Sequence, residues 1–157
     1  QNTVFLNSVQ IVNWSADDPA VKKAAQLAAG KKSDSEKISA IYQYITKSVV
    51  YDYAKAKNIS GRYLPDINDT YATNKGICYD YAALMASMLR SVGVPAKLIM
   101  GTSRQVGDRY HAWNEVYDSG SGKWIIIDAT ADAPLVKAGR TCSMSKKTAD
   151  YTVDKIY

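Results

Sequence analysis

Gly76-Ile77-Cys78-Tyr79-Asp80-Tyr81-Ala82-Ala83-Leu84-Met85-Ala86-Ser87-Met88-Leu89-Arg90-Ser91-Val92-Gly93-Val94-Pro95 reads as one helix with both ends marked. Gly76 permits a tight backbone entry. Asp80 puts negative charge in the first turn, where free N–H groups and the helix dipole favour it. Cys78, Ala82, Met85 or Ala86, and Leu89 recur at helical spacing and give an apolar stripe of small and medium side chains. Gly93 suits the left-handed position after the last turn, and Pro95 forbids continuation. Cys78 therefore stands at the start of a packed helix, where the positive end of the dipole raises the thiolate fraction of a thiol. The alternative is that Cys78 is simply a small buried hydrophobe, since reactivity needs a base as well as a helix terminus.

Outward from this helix, the chain has 157 residues, enough for one domain with its own core. Its 46% hydrophobic and 22% charged residues describe an ordinary globular chain. The net charge of +5 is mildly basic. The pairs Lys22-Lys23, Lys31-Lys32 and Lys146-Lys147 are scattered rather than striped, which argues against nucleic acid and for solvated faces. No apolar run approaches the ~18 residues of a membrane helix. The first residue is Gln1, so a trimmed or mature form is expected, with any targeting segment removed. Two cysteines make no disulfide framework, and a Cys78–Cys142 bridge would consume the candidate nucleophile. Twelve tyrosines against one phenylalanine are an unusual balance.

Before Cys78, Val4, Leu6 and Ser8 suggest a short strand or extended arm. Asp17-Asp18-Pro19 opens a helix that runs over Ala20–Ala29 and closes at Gly30. Ser33 with Glu36 forms a capping box for a second helix, whose apolar stripe is Ile38, Ile41, Tyr42 and Ile45. Residues 54–75 read as loop. Within them Asp66, Asn68 and Asp69 fit turn chemistry better than a calcium loop, because EF-hand spacing, central glycine and terminal glutamate are missing. Tyr71, seven residues before Cys78, is placed to reach the same cleft.

After Pro95 the period changes from helical to alternating. A short strand is expected over 96–100, ended by Gly101, then a polar loop over 102–109. A strand over 110–117, a turn at Asp118-Ser119-Gly120-Ser121-Gly122 and a return strand over 123–128 form a hairpin. The Gly-Ser-Gly-Lys tract joins two strands and lacks phosphate-loop spacing. The tail from Thr141 ends in a tyrosine-bearing segment that can pair or dock. In the hairpin His111, Trp113, Glu115 and Tyr117 share a face, and Trp124, Ile126 and Asp128 share one on the partner. His111, the sole histidine, then lies beside Asp128, and a carboxylate after Ile125-Ile126-Ile127 needs a partner to be buried. Taken singly, His111 reads as a hydrogen-bonded core residue and Asp128 as a strand-end cap. Together with Cys78 they supply a nucleophile, a base and a group that orients the base. A metal site fits worse: there is no CxxC, no HExxH and no second histidine.

Four segments also carry a family resemblance: 76–82, 89–96, His111-Ala112-Trp113-Asn114-Glu115-Val116, and Trp124-Ile125-Ile126-Ile127-Asp128-Ala129-Thr130. With the helix ending in Val50-Tyr51-Asp52-Tyr53, they resemble the transglutaminase-like core over roughly residues 20–132. The resemblance implies an α+β, papain-like fold in one domain over 1–157, with the Cys helix on an antiparallel sheet. It implies a Cys78–His111–Asp128 triad that attacks a carboxamide, releases ammonia or an amine, and leaves a thioester acyl-enzyme. The Cys78 N–H would be one oxyanion donor; Tyr71 and Trp113 are candidates for the second, each also readable as packing. The flanking β-domains and calcium loops of animal transglutaminases are not seen, and no cofactor or metal is expected. The expected partner is a protein or peptide substrate, with an amine acceptor giving cross-linking and water giving deamidation or proteolysis. A catalytically silent binding module of the same fold is the alternative. A bacterial protein, secreted or at the cell surface, is expected; oligomeric state is left open.

Overall fold

The computed structural model describes residues 2–157. A 3-10 segment, Asn2–Leu6, kinked at Phe5, stands where a short strand or extended arm was expected, and Val4 remains exposed on it. Helix α1 (Pro19–Ala28) starts at Pro19 as expected. The Asp18 carboxylate before it accepts from the Ser15 N–H at 2.9 Å instead of capping the helix. Helix α2 (Asp34–Ser48) opens on the Ser33/Glu36 capping box and buries Ile38, Ile41, Tyr42 and Ile45.

The segment read as loop contains two helices. Strand β1 (Val50–Tyr51) leads into α3 (Tyr53–Asn58), capped by Asp52, whose carboxylate accepts from the Lys55 N–H at 3.0 Å. Helix α4 (Ile67–Thr73) is capped by Asp66, which accepts from the Asn68 and Asp69 N–H groups at 3.0 and 3.3 Å. Of the polar residues that fit turn chemistry, Asp66 is an N-cap while Asn68 and Asp69 lie in the first turn that it caps, and these helices are too short to show a periodic stripe. Strand β2 (Lys75–Gly76) pairs in parallel with β1, Tyr51 opposite Gly76.

Helix α5 (Cys78–Ser91) is the centre of the molecule. Rather than one apolar stripe, every residue from Asp80 to Arg90 is buried, because α1, α2, α4 and the sheet surround it. Its C-terminus closes as expected: Gly93 has φ +86° and Val94 N–H reaches back to the Leu89 carbonyl at 3.0 Å. The four-stranded sheet has the order β5-β4-β3-β6, all neighbours antiparallel, built from β3 (Ala96–Ser103), β4 (Arg109–Asp118), β5 (Lys123–Ile127) and β6 (Tyr151–Ile156). Helix α6 (Ala129–Lys137) follows β5 directly.

Gly101 does not end its strand. It lies inside β3 where the pairing with β6 shifts register, and a Cβ there would come within 1.9 Å of the Thr152 carbonyl oxygen. Close backbone approach, not termination, is why glycine stands at this position. One face of the sheet packs Leu98, Ala112 and Val116 against α5; the other carries a smaller cluster of Ile99, Trp113, Ile126 and Tyr151. The helix is α, the sheet antiparallel, and the chain an α+β fold.

Candidate active site

Cys78 is the first residue of α5, and its N–H belongs to the turn that has no acceptor inside the helix. The helix start is held by Asp80, which is fully buried. Asp80 accepts from the Ile77 N–H at 2.9 Å, from the Tyr63 hydroxyl, and from the Lys55 ammonium at 3.2 Å. A Cβ on Gly76 would sit 2.6 Å from the Asp80 Cβ, so the glycine before the cysteine clears space for this clamp. Asp80 was read from sequence as a dipole partner. Its role as the acceptor for Lys55 and Tyr63 depends on α3 and the loop after it, which sequence spacing did not place.

His111 and Asp128 lie on the hairpin. The register puts Asn114 opposite Ile127, which brings Asp128, one residue beyond the strand, beneath the His111 ring. His111 Nε2 is 3.0 and 2.9 Å from the two Asp128 carboxylate oxygens, with His111 5% and Asp128 0% exposed. Asp128 Oδ1 also accepts from the Ala131 N–H at 3.2 Å, so the strand-end cap expected for an isolated aspartate is present as well. With Nε2 engaged, Nδ1 is the nitrogen left to face the thiol. Burial by itself would lower the imidazole pKa, but the hydrogen bonds and negative charge of Asp128 and Cys78 outweigh it and raise the pKa to about 9.

Cys78 and His111 open into one cleft of about 440 Å³, walled by Tyr51, Tyr53 and Lys57 on one side and by Val106, Arg109 and Tyr110 on the other. Of the two remaining candidates, neither lines it. Tyr71 sits on α4 and packs its ring 6.3 Å from that of Tyr44. Trp113 is 1% exposed, stacked between His111 at 6.3 Å and Tyr151 at 4.8 Å, and its Nε1 has no hydrogen-bond partner. Cys142 is a free thiol, as is Cys78; its sulfur lies 3.6 Å from the Tyr42 hydroxyl. Among the described residues no three His, Cys, Asp or Glu side chains converge to hold a metal ion.

Tyr51, Tyr53, Lys57, Arg109 and Tyr110 were not singled out from sequence. The signal available was the excess of tyrosine over phenylalanine. Tyrosine hydroxyls donate to each of three buried carboxylates: Tyr63 to Asp80, Tyr42 to Asp132 at 2.6 Å, and Tyr151 to Asp128 at 3.0 Å. A phenylalanine would fill the same space and leave the carboxylate short of a donor.

The transglutaminase-like superfamily model matches residues 21–129. The chain belongs to that superfamily. Among solved structures, a candidate cysteine protease from Cytophaga hutchinsonii superposes with a TM-score of 0.64 at 22% identity, over 98% of this chain and 53% of that one. The periplasmic domain of TgpA from Pseudomonas aeruginosa gives 0.60 at 22% identity, over 82% and 49%. Legionella pneumophila LapG gives 0.55 at 16% identity, over 87% and 81%. The chain spans about half the length of the first two. No curated protein matches. The antiparallel sheet with a buried helix on one face, anticipated from the four motifs, is the fold of this superfamily. The matched region stops one residue after Asp128, at the first residue of α6, so the rest of α6 and all of β6 lie outside it. No helix is long and apolar enough to cross a membrane.

Proposed function

We propose that this protein is a thiol acyl-transfer enzyme acting on amides of peptides or proteins. Cys78 Sγ attacks the carbonyl carbon of a carboxamide or peptide bond, its proton held beforehand on His111 Nδ1. Asp128 fixes the ring through Nε2, so that the proton-accepting nitrogen faces the sulfur. The tetrahedral oxyanion is met by the Cys78 N–H at the positive end of α5. Collapse breaks the C–N bond; His111 returns its proton to the leaving ammonia or amine, and a thioester remains. Water or an amine then attacks the thioester, with His111 again as base, and frees Cys78.

The observation that carries this reading is the buried His111–Asp128 pair at 2.9 Å opening onto the same cleft as Cys78. A buried carboxylate held by the sole histidine beside a helix-terminal thiol fits acyl chemistry better than it fits packing. The periplasmic setting of the TgpA domain supports a location outside the cytoplasm.

The test is the intact mass of a glutamine-containing peptide after incubation with wild type or Cys78→Ala, with and without a primary amine. Gain of the amine identifies a transferase; deamidation or cleavage identifies water as acceptor. Cys78→Ala and His111→Ala are expected to lose at least roughly 1,000-fold in kcat/KM. Turnover that survives Cys78→Ala would overturn the mechanism. Absence of any Cys78-dependent product across a broad peptide library favours a binding module.

A further inference from the structure

Each wall of the cleft presents tyrosine together with one cation. Tyr53 and Lys57 come from α3, Arg109 and Tyr110 from the start of β4. Lys57 and Arg109 are exposed, and among the described residues neither forms an ion pair. Arg109 Nε is held by the Val106 carbonyl at 2.9 Å, which leaves the outer guanidinium nitrogens free to face the opening. No aspartate or glutamate lines the cleft. Asp108, next to Arg109 in the chain, does not line it, and three other carboxylates of these elements are hydrogen-bonded elsewhere: Asp52 accepts from the Lys55 N–H, Asp154 from the Tyr110 hydroxyl at 2.8 Å, and Asp128 from His111. The cleft that holds the thiol thus carries two positive charges outside any ion pair, each on the same element as a tyrosine that lines it. From this we infer that the acyl donor is an acidic peptide segment, with carboxylates on both sides of the amide that Cys78 attacks. The cleft volume of 440 Å³ accommodates the reacting side chain and its immediate neighbours. This inference rests on the acyl-transfer reading.

The experiment compares glutamine peptides of one sequence frame whose flanking residues are Glu, Gln or Lys. Turnover is read by mass in low and high salt with wild type, Cys78→Ala and the double variant Lys57→Gln/Arg109→Gln. Expected is kcat/KM in the order Glu > Gln > Lys, about fivefold per step at low salt, as exposed ion pairs provide, and compressed at high salt. The double variant is expected to lose the order. Cys78-dependent turnover without that order overturns the inference and leaves the acyl-transfer reading standing. If no peptide is turned over, the acyl-transfer reading fails, and binding of the same peptides to Cys78→Ala decides. Tighter binding of the Glu peptide sustains the acidic-ligand inference, and equal binding overturns it.

A second inference comes from β6. Tyr151, at its start, is 8% exposed and donates its hydroxyl to Asp128 Oδ2 at 3.0 Å, the oxygen that also contacts His111 Nε2 at 2.9 Å. Its ring is packed on Trp113, which in turn stacks on His111. The strand that carries it is fixed at its far end by paired hydrogen bonds between Leu98 and Tyr157, at 2.8 and 3.0 Å. The geometry points to Tyr151 as a positioning residue that sets the orientation and charge of Asp128, and so the proton affinity of His111. The site would then include a strand beyond the matched family region. A carboxylate that loses one donor pulls harder on the one that remains.

Tyr151→Phe keeps the ring and removes only the hydroxyl. The readout is the rate of Cys78 alkylation by iodoacetamide against pH, with Cys142 separated by peptide mapping. This needs no substrate. The expected result is an alkaline inflection displaced upward by about half a pH unit or more, with the circular dichroism spectrum unchanged. A profile superimposable on wild type overturns the role, because a merely structural tyrosine would alter melting temperature and not this inflection.

Discussion

Asp128 performs two tasks that the sequence suggested separately: it caps α6 through the Ala131 N–H and holds His111 through both oxygens. The buried pair makes His111 the residue most exposed to a pH test. Its pKa is about 9 in the folded chain against 6.5 for a free imidazole. Between those values the native state holds a proton that the unfolded state has released. The contribution of His111 to stability is therefore full below pH 6.5 and is lost as pH rises through 9, by about 3 kcal/mol at most. A chain with a single histidine allows a direct measurement. The imidazole resonances of wild type are expected to titrate near 9, and those of Asp128→Asn clearly lower. A wild-type midpoint near 6.5 would mean that the Asp128 carboxylate does not act on the ring.

At the scale of elements, β3 is the strand on which the sheet depends, since it pairs with both β4 and β6. Gly101 is its narrow point, between the Thr152 carbonyl and the Trp113 ring. Gly101→Ala is expected to displace β6 at a cost of roughly 2–4 kcal/mol, as for other substitutions that force a backbone apart. Hydrogen exchange should report it as loss of protection confined first to residues 151–156. Uniform loss across the sheet would place the strain elsewhere. The entry to α5 is equally specific: Asp80→Ala leaves the Ile77 N–H, the Tyr63 hydroxyl and the Lys55 ammonium without their acceptor. The expected cost is about 3–5 kcal/mol, as when a buried ion pair loses one partner, read as a lower urea midpoint at unchanged m-value.

Across the whole molecule the buried charges follow one pattern. Asp80, Asp128 and Asp132 are each 0–1% exposed, and each has one cationic partner (Lys55, His111, Lys146) and one tyrosine hydroxyl. Two buried charges among the described residues depart from it: Asp118 has no cationic partner and accepts from the Gly120 N–H at 3.0 Å, and Arg90, 3% exposed, forms no ion pair. It donates to the Asn7, Ala96 and Tyr157 main-chain oxygens at 2.7, 2.8 and 2.9 Å, and burial lowers its pKa to about 10. One guanidinium at the far end of α5 thereby joins the amino-terminal turn, the first sheet strand and the end of β6. Arg90→Met should destabilise by about 3 kcal/mol, because three main-chain oxygens, the Ala96 one buried, lose a charged donor. Thermal melts should show it, with early proteolysis at both ends of the chain.

By itself the sequence determined the elements whose signals are local. The capping box at Ser33, the glycine and proline that close α5, the alternation of the hairpin and the four family motifs each lie within a few residues of one another. Local hydrogen bonds and side-chain period are enough to specify them. The tertiary structure alone decided that α5 is buried on every side, that Gly101 lies inside a strand, and that short capped helices occupy residues 53–73. It also decided which side chains meet in the cleft. Tyr71 packs against Tyr44 and Trp113 stacks on His111 without lining the cleft, whereas Tyr151, 73 residues beyond Cys78, reaches Asp128. Such contacts depend on the pairing of strands distant in the chain, and no period or cap in either strand records its partner.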